Sequence, residues 1–241
     1  MMPCVYHRGA HPKDAELFAA KWTPTLRTAT ADLSWLLGRR YSLRSASQLV
    51  AQRYSLAVRQ RDAVTRAACA PETVRLRRSR QVDRKLQGEP LWLDGFNVLI
   101  ISERTHGGGP VVLGRDGAYR DVTGRHGGWR QTAETITAIH AIGRVLERLG
   151  AGEVRWLLDR PVANAGRVAA LLREAAAGHR WPWTIEQVDH VDRRLADCGQ
   201  VVATSDGWIN ERCTGWLNLL SDVVADAPAP WIVDLRSEEE H

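Results

Sequence analysis

Four short apolar runs each end on an aspartate. Leu91-Trp92-Leu93 runs into Asp94, with Gly95-Phe96-Asn97 behind it; Val154-Arg155-Trp156-Leu157-Leu158 runs into Asp159. Ile185-Glu186-Gln187-Val188 runs into Asp189, with Asp192 three residues on, and Val201-Val202-Ala203-Thr204-Ser205 runs into Asp206. If the runs are parallel strands joined by right-handed crossovers, their carboxyl ends share one edge, where open α/β sheets bind ligands. Carboxylates gathered there repel one another unless they protonate or a hard cation neutralises them, and an all-oxygen set suits Mg2+ or Mn2+. Such an ion polarises a phosphodiester and acidifies a water, so the expected chemistry is metal-assisted phosphodiester hydrolysis. Helix capping explains these residues singly: Asp189 and Asp206 stand where helices begin, Asp192 falls in a first turn, and Asn164 precedes a helix. Capping does not explain Asp94 together with Asn97, nor Asp159 ahead of Pro161.

The elements that must position these residues follow from periodicity. Beyond Pro90, short apolar runs alternate with amphipathic stretches, the pattern of a mainly parallel sheet covered on both faces. Strands are predicted near 91–94, 153–158, 184–188, 200–204 and 231–234, giving five, with helices near 131–149, 165–177, 189–197 and 208–225. Residues 111–122 read as an inserted hairpin with Asp116-Gly117 at its turn. Before Pro90, apolar residues recur at helical spacing (Leu33, Leu36 and Leu37; Leu49, Val50 and Tyr54; Val64 and Ala68), which predicts a small all-helical module over 1–88. Gly38-Arg39-Arg40-Tyr41 breaks one helix, Ser42 or Ser45 caps the next, and Gly88-Glu89-Pro90 marks the boundary to an α/β domain over 91–241.

Charge divides along the same line. Residues 1–90 carry 17 Lys and Arg against 7 Asp and Glu, whereas the remainder carries 16 against 21, so the helical module is the part suited to a polyanion. Its basic run holds Arg75, Arg77, Arg78 and Arg80, for which phosphates are the expected partner. Around the hairpin, Arg115, Arg120, Arg125 and Arg130 form a candidate clamp on a substrate backbone, and His126 is placed to meet a phosphate or a water. Trp129, Trp208 and Trp216 are candidates for stacking on unpaired bases.

Other classes drop out. No lysine follows position 85, and no GxxxxGK[ST] loop exists before it, so a P-loop NTPase is excluded. The four cysteines form no CxxC pair, and no HExxH is present for zinc. His106-Gly107-Gly108-Gly109 matches an oxyanion loop of esterases, yet no serine sits in GxSxG. With no long apolar stretch and no apolar leader at Met1 to His11, the expectation is a cytoplasmic protein away from membranes.

Leu93-Asp94-Gly95-Phe96-Asn97 resembles the DGxN motif closing the first strand of PIN-like nucleases, especially their NYN branch, and Thr204-Ser205-Asp206 resembles a later strand ending in Thr/Ser-x-Asp. Asp189-His190-Val191-Asp192 stands where that superfamily carries an acidic residue opening a helix. The resemblance implies a Rossmann-like three-layer α/β/α domain cutting RNA rather than DNA. Mg2+ or Mn2+ would be held by Asp94, Asp192 (or Asp189) and Asp206, with Asn97 orienting the metal or a phosphate and Asp159 completing the site. Ser205 and Asn164 are the accompanying substrate contacts. Two positions depart from the pattern: the central-helix acid has only Glu134 as a candidate, and Trp208 stands where the NYN branch often has a second aspartate. The alternative is a binding or regulatory protein that keeps the fold without catalysis. The whole chain also resembles an uncharacterised prokaryotic domain-of-unknown-function family with a helical front module, which implies a fold and no established activity.

Overall fold

The computed structural model describes residues 6–82, 85–122 and 128–236. Five helices come first: α1 (Asp14–Leu17), α2 (Thr23–Gly38), α3 (Leu43–Arg53), α4 (Val58–Ala67) and α5 (Pro71–Ser79). In α2, Leu26, Ala29 and Leu33 recur on one face and are buried, while Thr30 and Ser34 on the same face satisfy their hydroxyls on the carbonyls four residues back. Ser42, of the two serines considered, caps α3 by accepting the Ser45 amide.

The α/β part runs β1 (Leu91–Asp94), α6 (Gly95–His106), β2 (Val111–Leu113), β3 (Tyr119–Asp121), α7 (Thr135–Arg148), β4 (Val154–Asp159), α8 (Ala165–His179) and β5 (Trp183–Val188). It continues through α9 (Val191–Asp197), β6 (Val201–Ala203), α10 (Gly207–Asn210), β7 (Gly215–Leu217), α11 (Leu219–Ala225) and β8 (Ile232–Asp234). The main sheet has the order β5-β4-β1-β6-β7, and every neighbouring pair in it is parallel. From β1 the chain moves outward through β4 to β5, then returns past β1 to lay down β6 and β7, the doubly wound Rossmann-like order. Its switch point lies between β1 and β6. Helices cover both faces, so the predicted three-layer α/β/α class holds. Among the described residues no helix is long and apolar enough to cross a membrane.

Alternation along the strands sorts side chains into two cores. Leu91, Leu93, Trp156, Leu158, Ala203 and Leu217 meet α6, α7, α8 and α11 on one face. Leu157, Val202 and Trp216, with Trp92, meet Val191 and Leu195 of α9 and Ile209 of α10 on the other.

Three predicted elements are corrected. The run at 231–234 is a strand, but as β8 it pairs with β2 in a separate three-stranded sheet of order β3-β2-β8; the fifth strand of the main sheet is β7. The predicted helix over 208–225 is α10, β7 and α11, because Trp216 and Leu217 bury themselves beside Val202 and Ala203 of β6. The third is α6, where no helix was anticipated. Val98, Leu99, Ile100 and Ile101 are all buried, so α6 has no polar stripe to betray a helical period.

The boundary near 88–91 separates helices from sheet along the chain, but the core crosses it. Leu26, Leu33, Val50 and Val64 of the helices share one apolar cluster with Val112, Val122, Val233 and Leu235, so the small sheet is the floor of the helical layer.

Candidate functional site

The parity that fills the cores also aims the carboxylates. Asp94 lies two residues after Trp92, Asp159 two after Leu157, and Thr204 two after Val202, so all three belong to the face covered by α9 and α10. Asp192 is in the first turn of α9, and Asp206 is the residue from which α10 starts. The four aspartates therefore approach the carboxyl edge at the switch point from β1, β4, α9 and α10.

Asp94 is buried and takes two hydrogen bonds: its Oδ2 accepts from the Thr204 hydroxyl at 2.8 Å, and its Oδ1 accepts from the Asn97 amide at 3.4 Å, capping α6. Thr204 Oγ1 in turn accepts from the Asp206 amide at 3.0 Å. Asp206 Oδ1 caps α10, accepting from the amides of Trp208 at 2.7 Å and Ile209 at 3.2 Å. Capping and clustering thus coexist in Asp94 and Asp206. Burial pushes the Asp94 carboxyl up to about 7; the Thr204 hydrogen bond opposes this, and the charges of Asp206, Asp192 and Asp159 add to it. Asp192 is raised as well, by partial burial and then by Asp206 and Asp159. No described Lys or Arg makes an ion pair with Asp94, Asp192 or Asp206.

Gly95 lets β1 turn into α6 at this point. A β-carbon there would stand 2.8 Å from the Leu157 carbonyl oxygen and 2.6 Å from Leu158 Cδ2, and the oxygen belongs to the β4 ladder and cannot retreat alone. Gly95→Ala is expected to destabilise the fold by about 1–3 kcal/mol, the usual cost of overpacking, seen as a lowered thermal midpoint.

The remaining candidates sort differently. Asn97 Oδ1 accepts from the Ser205 amide at 3.0 Å and the Ser205 hydroxyl at 2.9 Å, so these two residues clamp the loop after β6. Asp189 is exposed and pairs with Arg160 at 3.1 Å, which leaves Asp192 as the α9 member of the set. Asn164 makes no side-chain cap; it adopts φ 68° and donates to the Trp129 carbonyl at 2.8 Å. Glu134 accepts from the Arg8 amide and pairs with His7. Trp129 and Trp216 are buried, and only Trp208 of the three proposed stacking residues is exposed. His126 and Arg125 lie outside the described residues.

The arginines meant for phosphate are largely spent on the protein itself. Arg120 is buried in a two-pronged contact with Asp116 (2.7 and 2.6 Å), and its Nε donates to the Ser205 carbonyl at 3.1 Å. Arg77 reaches Asp116 at 2.7 Å and also pairs with Glu211. Arg80 donates to the carbonyls of Glu211 and Cys213, and Arg78 to the carbonyl of Arg115 at 3.1 Å, while the Arg115 amide donates to the Ala67 carbonyl. The cause is that residues 80–82 extend along β7, Val82 donating to Trp216 and Trp216 to Arg80, which draws the basic run onto α10.

Sequence reasoning missed two acidic residues. Glu103, on the apolar α6, is buried and gathers Arg8, Thr135 and Trp129 around it. Asp116 was read only as a turn residue. A charged side chain inside an apolar helix is a legible signal for the first; burial of a turn carboxylate leaves none.

The donor set at the rim is all carboxylate oxygen, and the charges of its neighbours help raise Asp94 and Asp192, a repulsion that a hard cation relieves. That chemistry suits Mg2+ or Mn2+. Among the described residues no three His, Cys, Asp or Glu side chains already form a ligating group, so the set is gathered within electrostatic range without being drawn into ligation.

Fold and rim together define a doubly wound α/β protein with an acidic switch point and a helical layer in front. The chain belongs to the family described as a domain of unknown function, DUF5616, which matches residues 83–222. Residues 25–80 match a second family, described as a protein of unknown function, DUF434. An uncharacterized protein of Methanocaldococcus jannaschii, MJ0935, is similar at 28% identity over 186 residues, covering 77% of this chain and 88% of that one. No solved structure matches this chain.

Proposed function

We propose that the chain is a metal-dependent phosphodiesterase acting on nucleic acid, a PIN-like nuclease with RNA rather than DNA as its substrate. The observation that carries this is Asp94: a buried carboxyl at the switch point, raised to about 7, with three further aspartates adding to its repulsion and no described basic side chain paired to it. A carboxyl in that setting is costly to the fold, and cation binding is what would offset the cost. The preference for RNA follows the resemblance to the NYN branch.

Asp94, Asp192 and Asp206 would hold Mg2+ or Mn2+, which when bound supplies charge to the phosphoryl oxygens and acidifies a water. Thr204 orients Asp94 and receives the Asp206 amide, so one hydroxyl sets the relation between two of these carboxylates. Asn97 fixes the loop from which Asp206 projects. Asp159 completes the set or orients water at the β4 end. In-line attack by water on phosphorus breaks the ester P–O bond; the water's proton passes to a carboxylate of the rim, and the departing oxygen takes a proton from solvent, leaving a phosphomonoester and an alcohol.

The test is cleavage of a labelled single-stranded RNA with Mn2+, expected from the native chain and lost in both Asp94→Asn and Asp206→Asn. One observation favours a second reading, a binding protein without catalysis: Asp94 and Asp206 each spend an oxygen on a helix cap, and no three acidic side chains stand ready to ligate. Tight binding without cleavage, unchanged by either substitution, would establish that reading instead.

A further inference from the structure

Between α4, α5 and α10 lies an open cleft of about 780 Å³, lined by the helical layer on one side and by Asp206, Gly207 and Trp208 on the other. It is large enough for a nucleotide. Its basic side chains can be accounted for one at a time. Arg77 and Arg120 are neutralised by Asp116 and Glu211, and Arg61 lies 3.3 Å from its neighbour Asp62. Arg66 remains. It is half-buried, and no described residue gives it a hydrogen bond or an ion pair. Burial pulls its pKa below the ordinary arginine value, opposed only by the charges of Asp121, Asp62 and Asp206 acting at longer range. Of these, Asp121 is already paired with Arg104 at 2.7 Å.

A half-buried guanidinium facing a cleft without a counter-ion is costly to the fold, and an anion is what would complete it. The last turn of α4, where Arg66 sits, favours a cation through the helix dipole, but that benefit is also available to a side chain extended into water. On the opposite wall, two residues from Asp206, Trp208 is 43% exposed and its ring carries the Arg212 guanidinium 4.3 Å from its centroid. An exposed indole braced in this way is a platform for an unpaired base.

We propose that this cleft binds single-stranded nucleic acid, one backbone phosphate resting on Arg66 and one base stacking on Trp208. The inference rests on the nuclease reading in that it leads the strand to Asp206, but binding does not require cleavage. It assigns the helical layer a role in holding the substrate through α4, whereas Arg77 and Arg80 of the basic run that composition favours are occupied by contacts within the protein. Arg66 also places a positive charge beside an acidic rim that would otherwise repel a polyanion.

The experiment uses the full chain, a fluorescein-labelled single-stranded oligouridylate and EDTA, so that cleavage does not intrude, with affinity read by anisotropy across a salt series. Arg66→Gln is expected to weaken binding about tenfold and to reduce the slope of log affinity against log salt by about 0.7, the value for one phosphate contact on a single strand. Trp208→Ala is expected to weaken binding about tenfold with the slope unchanged. A duplex of the same length should bind less tightly. The melting temperature of Arg66→Gln should equal or exceed that of the native chain, because a partly desolvated charge has been removed. The proposal is overturned if the native chain binds no single strand, if both variants bind like it, if the duplex is preferred, or if affinity and melting temperature of Arg66→Gln fall together, which would assign Arg66 to packing. Binding that depends on Arg66 and Trp208 in a chain that never cleaves supports the cleft and refutes the nuclease reading. Cleavage by the native chain, with KM unchanged in Arg66→Gln, refutes the cleft alone.

Discussion

Asp94→Asn should abolish Mn2+-dependent cleavage and, at pH 8, make the protein more stable. Burial and the neighbouring aspartates raise the Asp94 carboxyl from 3.8 to about 7 in the folded chain. Between about pH 4 and pH 7 the folded state then keeps a proton that the unfolded state has released, so stability falls as pH rises through that window and this group adds no further change above it. At about 1.4 kcal/mol for each tenfold change in proton affinity, the loss is at most on the order of 4 kcal/mol. For a chain of this size that corresponds to roughly 10 °C in melting temperature. The asparagine variant carries no charge to desolvate, so its advantage over the native chain should be large at pH 8 and small at pH 4. A cation at the rim makes a further difference: Mn2+ should raise the melting temperature of the native chain at pH 8 and have little effect on Asp94→Asn. Thermal melts of both proteins at the two pH values, with and without Mn2+, test this independently of any substrate. Equal melting curves at pH 8, or an equal Mn2+ shift in both, would remove the physical basis for the site.

The parts of this site that were legible in the sequence are those set by strand period. Trp92 and Asp94, Leu157 and Asp159, and Val202 and Thr204 share a face because alternate residues do, and an apolar run stopping on aspartate shows where that face reaches solvent. The choice between Asp189 and Asp192 was not legible, because it depends on how α9 is rotated against the sheet. The contact between Asn97 and Ser205 was not legible either, since the polar side chains that bind a phosphate are the same types that fasten a loop. The arginine-rich run misled for a related reason. Composition records charge, whereas Arg77 and Arg80 are drawn inward by the pairing of residues 80–82 with β7, a strand of three residues, too short to show alternation. The second sheet was hidden because β2 and β8 pair across most of the α/β domain, a register that no local pattern encodes.

Asp116 is where the largest purely structural effect is expected. The hairpin turn places its carboxylate at 1% exposure between Arg120, which grips it with two nitrogens, and Arg77 from α5, which also holds Glu211 beyond α10. Arg120 additionally donates to the Ser205 carbonyl, so one carboxylate ties together the helical layer, the hairpin and the loop carrying Asp206. Burial alone would raise the Asp116 carboxyl; the two guanidiniums outweigh it and hold it well below the usual carboxylate range. The stability this contributes is present above the unfolded value near 4 and is lost as pH falls below it toward the lowered folded value. Asp116→Asn should cost about 3–5 kcal/mol at neutral pH, the usual penalty for leaving buried charge without its partner, and lower the melting temperature by roughly 10 °C or more. The loss should shrink as pH falls below about 4, because the unfolded chain's carboxylate takes up a proton there while the folded one stays ionised. Release of Arg120 should also slacken the Ser205–Asp206 loop, so cleavage should fall even at temperatures where the variant is folded. A melting temperature within a degree or two of the native value would mean that the guanidiniums find other partners and that this buried cluster does not hold the helical layer to the sheet.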